Sequence, residues 1–272
     1  MRLKSRYWWD LSTRDFAALD MERVIALQPV AAVEQHGPHL PLRVDAAINE
    51  GIIARALAIM PHDLPVLILP ACAIGKSDEH IAFPGTLTLS HETLARVWFE
   101  IGESVQRAGC RKILFYNSHG GNPPVMDIVT RDLRVKCRML AVAASWFATV
   151  DTGDLFGAAE RRHGIHGGEA ETSVMLHLHP GLVDKAQARD FGSSSAAMAR
   201  DFKLLTAEGP VAFAWMTQDL NPSGACGNAA AADAERGRTV VERAAGALID
   251  LLQDMDRFPL EDLPAGTAFS SR

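Results

Sequence analysis

Short, almost wholly apolar runs that alternate with segments of helical spacing most narrow the folds open to this chain. The runs end at Val30-Ala31-Ala32-Val33, fill Val66-Leu67-Ile68-Leu69, and recur over residues 112–116 and 139–144. A strand that is apolar along its whole length has both faces buried, which requires helices on both sides of the sheet. Helical spacing of apolar residues covers 46–60, 90–108, 124–135 and a closing amphipathic segment, 234–255. Asp45 can cap the first of these helices, and Ser90 reads as the N-cap of the second with Thr93 three residues on. The alternation predicts an α/β fold of three layers, α/β/α, around a mostly parallel central sheet. No repeat or linker interrupts it, so residues 1–272 are read as one domain. Residues 1–22 are expected to form an N-terminal helix and arm. Residues 186–232, rich in Ser, Ala and Gly, give no usable period.

Composition removes several functions. The net charge is −6, and a nucleic-acid partner would need clustered Lys and Arg. No apolar stretch is long enough for a membrane span, and charges at Asp10, Arg14 and Asp15 come too early for a signal peptide. Cys72, Cys110, Cys137 and Cys226 are scattered without CxxC spacing, which fits reduced thiols and a cytoplasmic location.

In a parallel sheet the ligand site lies at the C-terminal strand ends, and there the polar clusters fall. Glu34-Gln35-His36-Gly37-Pro38-His39 follows the first strand, with Asp45 nearby. Glu34 and His36 are two apart and point the same way if extended. Ser77-Asp78-Glu79-His80 lies in the loop after the second strand, and Asn117-Ser118-His119-Gly120-Gly121-Asn122 follows the third. A fourth cluster, His166-Gly167-Gly168-Glu169-Ala170-Glu171, opens a helix. Each has a plain alternative: a solvated turn, a strand-end histidine, a surface His80, or a helix-start carboxylate at Glu169 favoured by the dipole alone. Together they suit metal. Carboxylates with imidazole bind Zn, Mn or divalent Fe. Glu34, His36, Asp45, His119 and Glu169 supply five groups, enough for two ions if Asp45 bridges, at about three ligands per ion. Such a pair holds and acidifies a water between them. Glu171 is expected to support a ligand from behind rather than bind.

At this length the motifs are specific, and the sequence resembles the creatininase (creatinine amidohydrolase) family. The match runs through Glu34 to Leu42 with Asp45, Glu79-His80 with Phe83-Pro84-Gly85-Thr86, Asn117 to Asn122 and His166 to Ser173, within residues 10–255. The resemblance implies the three-layer fold, a two-metal hydrolase of non-peptide C–N bonds, and often a hexamer. It implies that residues matching Glu34, Asp45 and His119 hold one ion, that those matching His36 and Asp45 hold the other, and that His166 acts as acid or base.

One departure is evident. Creatininases proper carry Tyr-Glu directly after the ligand histidine, where this chain has Gly120-Gly121. That removes an aromatic contact and one metal ligand, so creatinine itself is a poor candidate substrate, and Glu169 is expected to restore the carboxylate. Family members with Gly-Gly-Asn here include formamide hydrolases and a peptidase that trims a redox-cofactor precursor. The expectation is thus a homo-oligomeric amidohydrolase acting on a small-molecule amide, cyclic amide or formamide. The metals would be Glu34, His36, Asp45, His119 and Glu169 bound, with His166 giving a proton to the leaving nitrogen and Ser77 and His80 touching substrate. The alternatives are trimming of a short cofactor-precursor peptide, and a non-catalytic metal-bearing binding protein.

Overall fold

The computed structural model describes residues 3–264, 266, 267 and 269. A short helix, α1 (Thr13–Ala17), precedes strand β1 (Ile25–Val30), helix α2 (Val44–Ile59) and strand β2 (Val66–Ile68). Helix α3 (His91–Arg107), strand β3 (Lys112–Asn117), helix α4 (Pro123–Cys137) and strand β4 (Leu140–Ser145) continue the alternation. Short helices α5 (Trp146–Thr149) and α6 (Ala158–His163) lead into α7 (Glu169–Leu178). Strand β5 (Asp190–Phe191), helices α8 (Ser195–Asp201) and α9 (Thr217–Leu220) and strand β6 (Gly227–Asn228) fill the stretch whose sequence carried no period, before helix α10 (Ala234–Arg257).

The main sheet has the order β2-β1-β3-β4 with every pair parallel. Alternate residues of each strand serve opposite layers. Ile25, Leu27, Leu114 and Tyr116 pack with α2, α7 and α10. Ala26, Val30, Ile113 and Phe115 pack with α3 and α4 around Trp98 and Leu133. This is the expected three-layer α/β/α arrangement. The chain leaves β1 toward β2 on one side and returns to β3 on the other, so a crevice opens beyond the C-terminal ends of β1 and β3.

Two local findings differ from the sequence reading. Strand β1 ends at Val30, and Val33 keeps only an isolated bridge to Leu87. Asp45 does not cap α2; Arg43 precedes the helix, and Asp45 sits in its first turn, 2% exposed, facing inward. Asn49, one turn further on, is the bolt between this helix and the crevice. Its side-chain amide donates to the carbonyls of Val30 and Tyr116, at 3.2 and 3.0 Å. The ends of β1 and β3 are thereby tied to the helix that carries Asp45. Ser90 caps α3 as expected, accepting from Thr93 N.

Candidate metal centre

Glu34, His36, Asp45 and His119 meet in the crevice, each at most 3% exposed. His119 Nδ1 lies 3.2 Å from Glu34 Oε1 and 3.6 Å from Asp45 Oδ2. His36 Nε2 lies 3.5 Å from Asp45 Oδ1 and 3.9 Å from Glu171 Oε2. Asp45 therefore stands between two groups of ligands, Glu34-Asp45-His119 and His36-Asp45-Glu171, whose atoms in each group all fall within 4.8 Å of one another.

The rings are oriented from behind. A carbonyl oxygen only accepts, so the ring nitrogen facing one carries the proton. His119 Nε2 donates to Lys76 O at 2.7 Å, His36 Nδ1 to Glu34 O at 3.1 Å, and His166 Nε2 to Gln35 O at 2.6 Å. In all three rings the remaining nitrogen faces the carboxylates of the crevice. On His36 and His119 a bare lone pair there would be repelled, so either a proton or a metal cation belongs between ring and carboxylate. His36 Nε2 and Asp45 Oδ2 are buried without a hydrogen-bond partner, a costly state that metal ligation would relieve. Main-chain carbonyls behind ligating imidazoles are the usual support of such sites. The donor set therefore fits divalent metal.

The electrostatics of these groups point the same way. Burial opposes charge on His36, but Asp45, Glu171 and Glu34 outweigh it and push its pKa up to about 9. Burial likewise opposes charge on His119, yet Glu34 and Asp45 push it up to about 10. Burial and then the neighbouring Glu34 push Asp45 up to about 7. Protons are held here because positive charge is wanted. His166 behaves oppositely: burial, with His36 and His80 beside it, keeps it well below the usual range. It stacks between those rings with centroids 4.1 and 4.2 Å away, neutral, with Nδ1 turned to Glu34 Oε1 at 3.7 Å.

Glu169 is not brought together with the other expected ligands. Its carboxylate pairs with Arg236 of α10, away from the crevice. Glu171 takes the place beside His36 and Asp45, and also accepts from Gly167 N at 2.6 Å. The two residues are half a helical turn apart, so only one could face the crevice, and the α10 arginine claims the other. Ser77 is also put to a different use. Fully buried, it donates to Glu34 Oε2 at 2.5 Å and fixes that carboxylate. His80 does face the centre. Its Nδ1 lies 2.7 Å from the side-chain amide of Gln35, whose other N–H goes to Gly224 O and whose oxygen accepts from Gly37 N. Nδ1 therefore accepts, and Nε2 carries a proton toward Glu34 Oε1, 3.4 Å away.

Residues of the same motifs that were given no role of their own hold the loops together. Asn117 accepts from His119 N and donates to His119 O. Asn122 joins Ala31 O, Asn117 and Lys76 N across three loops. Glu79 comes within 3.5 Å of His119 Nε2. A Cβ at Gly121 would meet Lys76 O, His119 Nε2 at 2.5 Å and Glu79 Oε1 at 2.7 Å. No side chain fits there, so the glycine is required by the crowding around His119. At Gly120 a Cβ would meet nothing within 4 Å, so that position opens onto free space.

The family model of creatinine amidohydrolase matches residues 9–252. The chain belongs to the creatininase family of amidohydrolases. A relative in Mycobacterium ulcerans, the mycofactocin precursor peptide peptidase, is 33% identical over 224 residues, 79% of this creatininase-family chain and 78% of its own. The creatinine amidohydrolase of Pseudomonas putida is 30% identical over 176 residues, 59% of this chain and 66% of that enzyme. Among solved structures, a manganese form of creatininase matches with a TM-score of 0.74 at 23% identity, over 93% of this chain and all of that one. A zinc-loaded variant of creatininase matches at 0.73, over 94% of this chain. Likeness at that identity establishes the shared fold, and the family membership rests on the sequence matches.

Proposed function

We propose that this chain is a dinuclear metal hydrolase that cleaves the amide C–N bond of a small substrate. One observation carries the reading: three buried imidazoles, each pinned to a main-chain carbonyl, turn their free ring nitrogens toward Glu34, Asp45 and Glu171, and His36 Nε2 and Asp45 Oδ2 have no hydrogen-bond partner. Glu34, Asp45 and His119 would hold one ion and His36, Asp45 and Glu171 the other, of zinc, manganese or iron. When bound, the ions would polarise the amide carbonyl and make water acidic near neutral pH. His166 Nδ1 takes up the proton that the attacking water gives off, since its ring is neutral and its Nε2 proton is held on Gln35 O. The same depressed basicity then makes the protonated ring a ready donor to the leaving nitrogen. His80 offers an N–H to the developing negative charge. Ser77 keeps Glu34 in line.

A peptide substrate is favoured by Gly120. Free space lies where creatininases proper carry a side chain, which suits a ligand larger than creatinine, and the Mycobacterium ulcerans relative is a peptidase by name. The free cysteines fit a cytoplasmic enzyme, and exposed Phe202, Leu204, Leu205 and Val211 fit a homo-oligomer that covers them. The test is metal analysis, then a screen of the zinc and manganese forms against creatinine, other lactams, formamides and short peptides, read by released amine. Two ions per chain with turnover abolished by chelator supports the reading. Turnover that survives complete metal removal refutes it, and two ions with no turnover on any class supports the binding-protein alternative.

A further inference from the structure

Glu160, on α6, belongs to none of the groups that face the crevice, yet its half-buried carboxylate is wrapped by the segments that carry two of them. One oxygen accepts from Glu169 N at 2.6 Å and the other from Asn228 N at 2.9 Å. Glu169 N is the first amide of α7, one of the helix-start donors that need an outside acceptor. Gly168, at the N-cap, has no side chain to supply one, so Glu160 does it from another helix, with its charge at the favourable end of the α7 dipole. Asn228, in β6, lies two residues past Cys226, which forms an isolated bridge with His166: the two exchange backbone hydrogen bonds at 3.3 and 2.7 Å. A Cβ on Gly164, Gly168 or Gly227 would run into Glu160 Oε1 in each case. Three glycines from two segments thus close on one carboxylate, and His166 lies between two of them. The circle is completed by Glu171, which accepts from Gly167 N.

We propose that Glu160 is a positioning residue for both His166 and Glu171: its carboxylate clamps the start of α7 to the segment bridged to His166, and so fixes the ring and the carboxylate that face the crevice. Glutamine at 160 would keep one acceptor and turn an amide N–H2 at a backbone N–H, loosening one side of the clamp. The metal part of the proposal rests on the two-ion reading above.

The experiment is Zn²⁺ titration by chelator competition on the full chain, with amide hydrogen exchange on the same preparations. Glu160→Gln and Glu160→Ala are expected to weaken the second Zn²⁺ at least tenfold and leave the first within twofold. Amides of residues 165–172 and 226–228 should exchange at least tenfold faster. Glu160→Asp, which keeps the charge, should recover part of the affinity. Glu169→Gln, which loosens α7 from α10 instead, should lower thermal stability with both Zn²⁺ affinities intact. Wild-type affinity for both ions in Glu160→Gln and Glu160→Ala overturns the proposal. A wild-type chain that takes up fewer than two Zn²⁺ refutes the two-ion reading; exchange then decides the clamp separately, and unchanged rates in the variants overturn it.

Discussion

Exchanging the two acidic residues at the start of α7, one at a time, separates a ligand from a strut. In Glu169→Gln the lost interaction is the ion pair with Arg236, whose side chains are 11% and 27% exposed. A hydrogen bond between charged groups is worth about 1.5–3 kcal/mol. Arg236 keeps the carbonyls of Leu155 and Ala231 and the face of Phe156, so a loss of about 2 kcal/mol is expected. At roughly 2–4 °C per kcal/mol for a chain near this size, the metal-free protein should melt roughly 4–8 °C lower. Its metal content should stay at two ions. Glu171→Gln should do the reverse. The carboxylate is partly buried, at 18% exposed, and its desolvation pushes its pKa up, with Glu34 adding to the effect; its charge is a burden on the fold without metal. Glutamine keeps an oxygen for Gly167 N, so the metal-free melting point should hold or rise while one ion is lost. Elemental analysis after dialysis and calorimetry of the chelated proteins read both quantities. An ion lost from Glu169→Gln, or two ions retained by Glu171→Gln, would refute the assignment.

Three further outcomes are expected. His166→Gln should retain both ions yet lose on the order of 10²–10⁴ in kcat, with the smaller loss on substrates that have better leaving groups; equal losses would make His166 a binding residue. Gly121→Ala should reduce metal content, because the added methyl group meets Lys76 O and His119 Nε2; full loading in that variant would contradict the packing around His119. The metal-free protein should lose stability as pH rises from about 6.5 toward 9–10. His36 and His119 have folded pKa values raised to about 9 and about 10, so the folded state binds more protons across that window and stability falls through it. Urea midpoints should fall in chelated protein and stay level in the zinc form over the same range; parallel curves would count against cation replacement of those protons.

The sheet was legible because strands buried on both faces leave continuous apolar runs, and the β1 and β3 loops were legible because motifs there sit directly on strand ends. The choice between Glu169 and Glu171 was not. The two lie half a helical turn apart, so only one could face the crevice, and the sequence offered Glu169 as the replacement carboxylate and Glu171 as its support. What decides is Arg236, 67 residues later on α10, a pairing that no local pattern announces. The bond from Ser77 to Glu34 at 2.5 Å was equally invisible, because the two residues are 43 apart in the chain. Residues 186–232 resisted reading because their structure is assembled from distant contacts, such as Gln35 reaching Gly224 O and Phe191 pairing with Gly227. Glu160 was invisible as well, since its meaning lies in glycines on two other segments.

Because His36, His119 and His166 are held by carbonyls of the main chain, the nitrogens that would bind an ion already face inward before one arrives. Little side-chain rearrangement then accompanies loading, so the centre has little means of rejecting an ion by refusing to close around it. Discrimination among divalent ions would then fall to intrinsic affinity order and to supply. The same chain produced under different metal regimes should therefore emerge carrying different ions, and its measured activity will reflect the growth medium as much as the sequence.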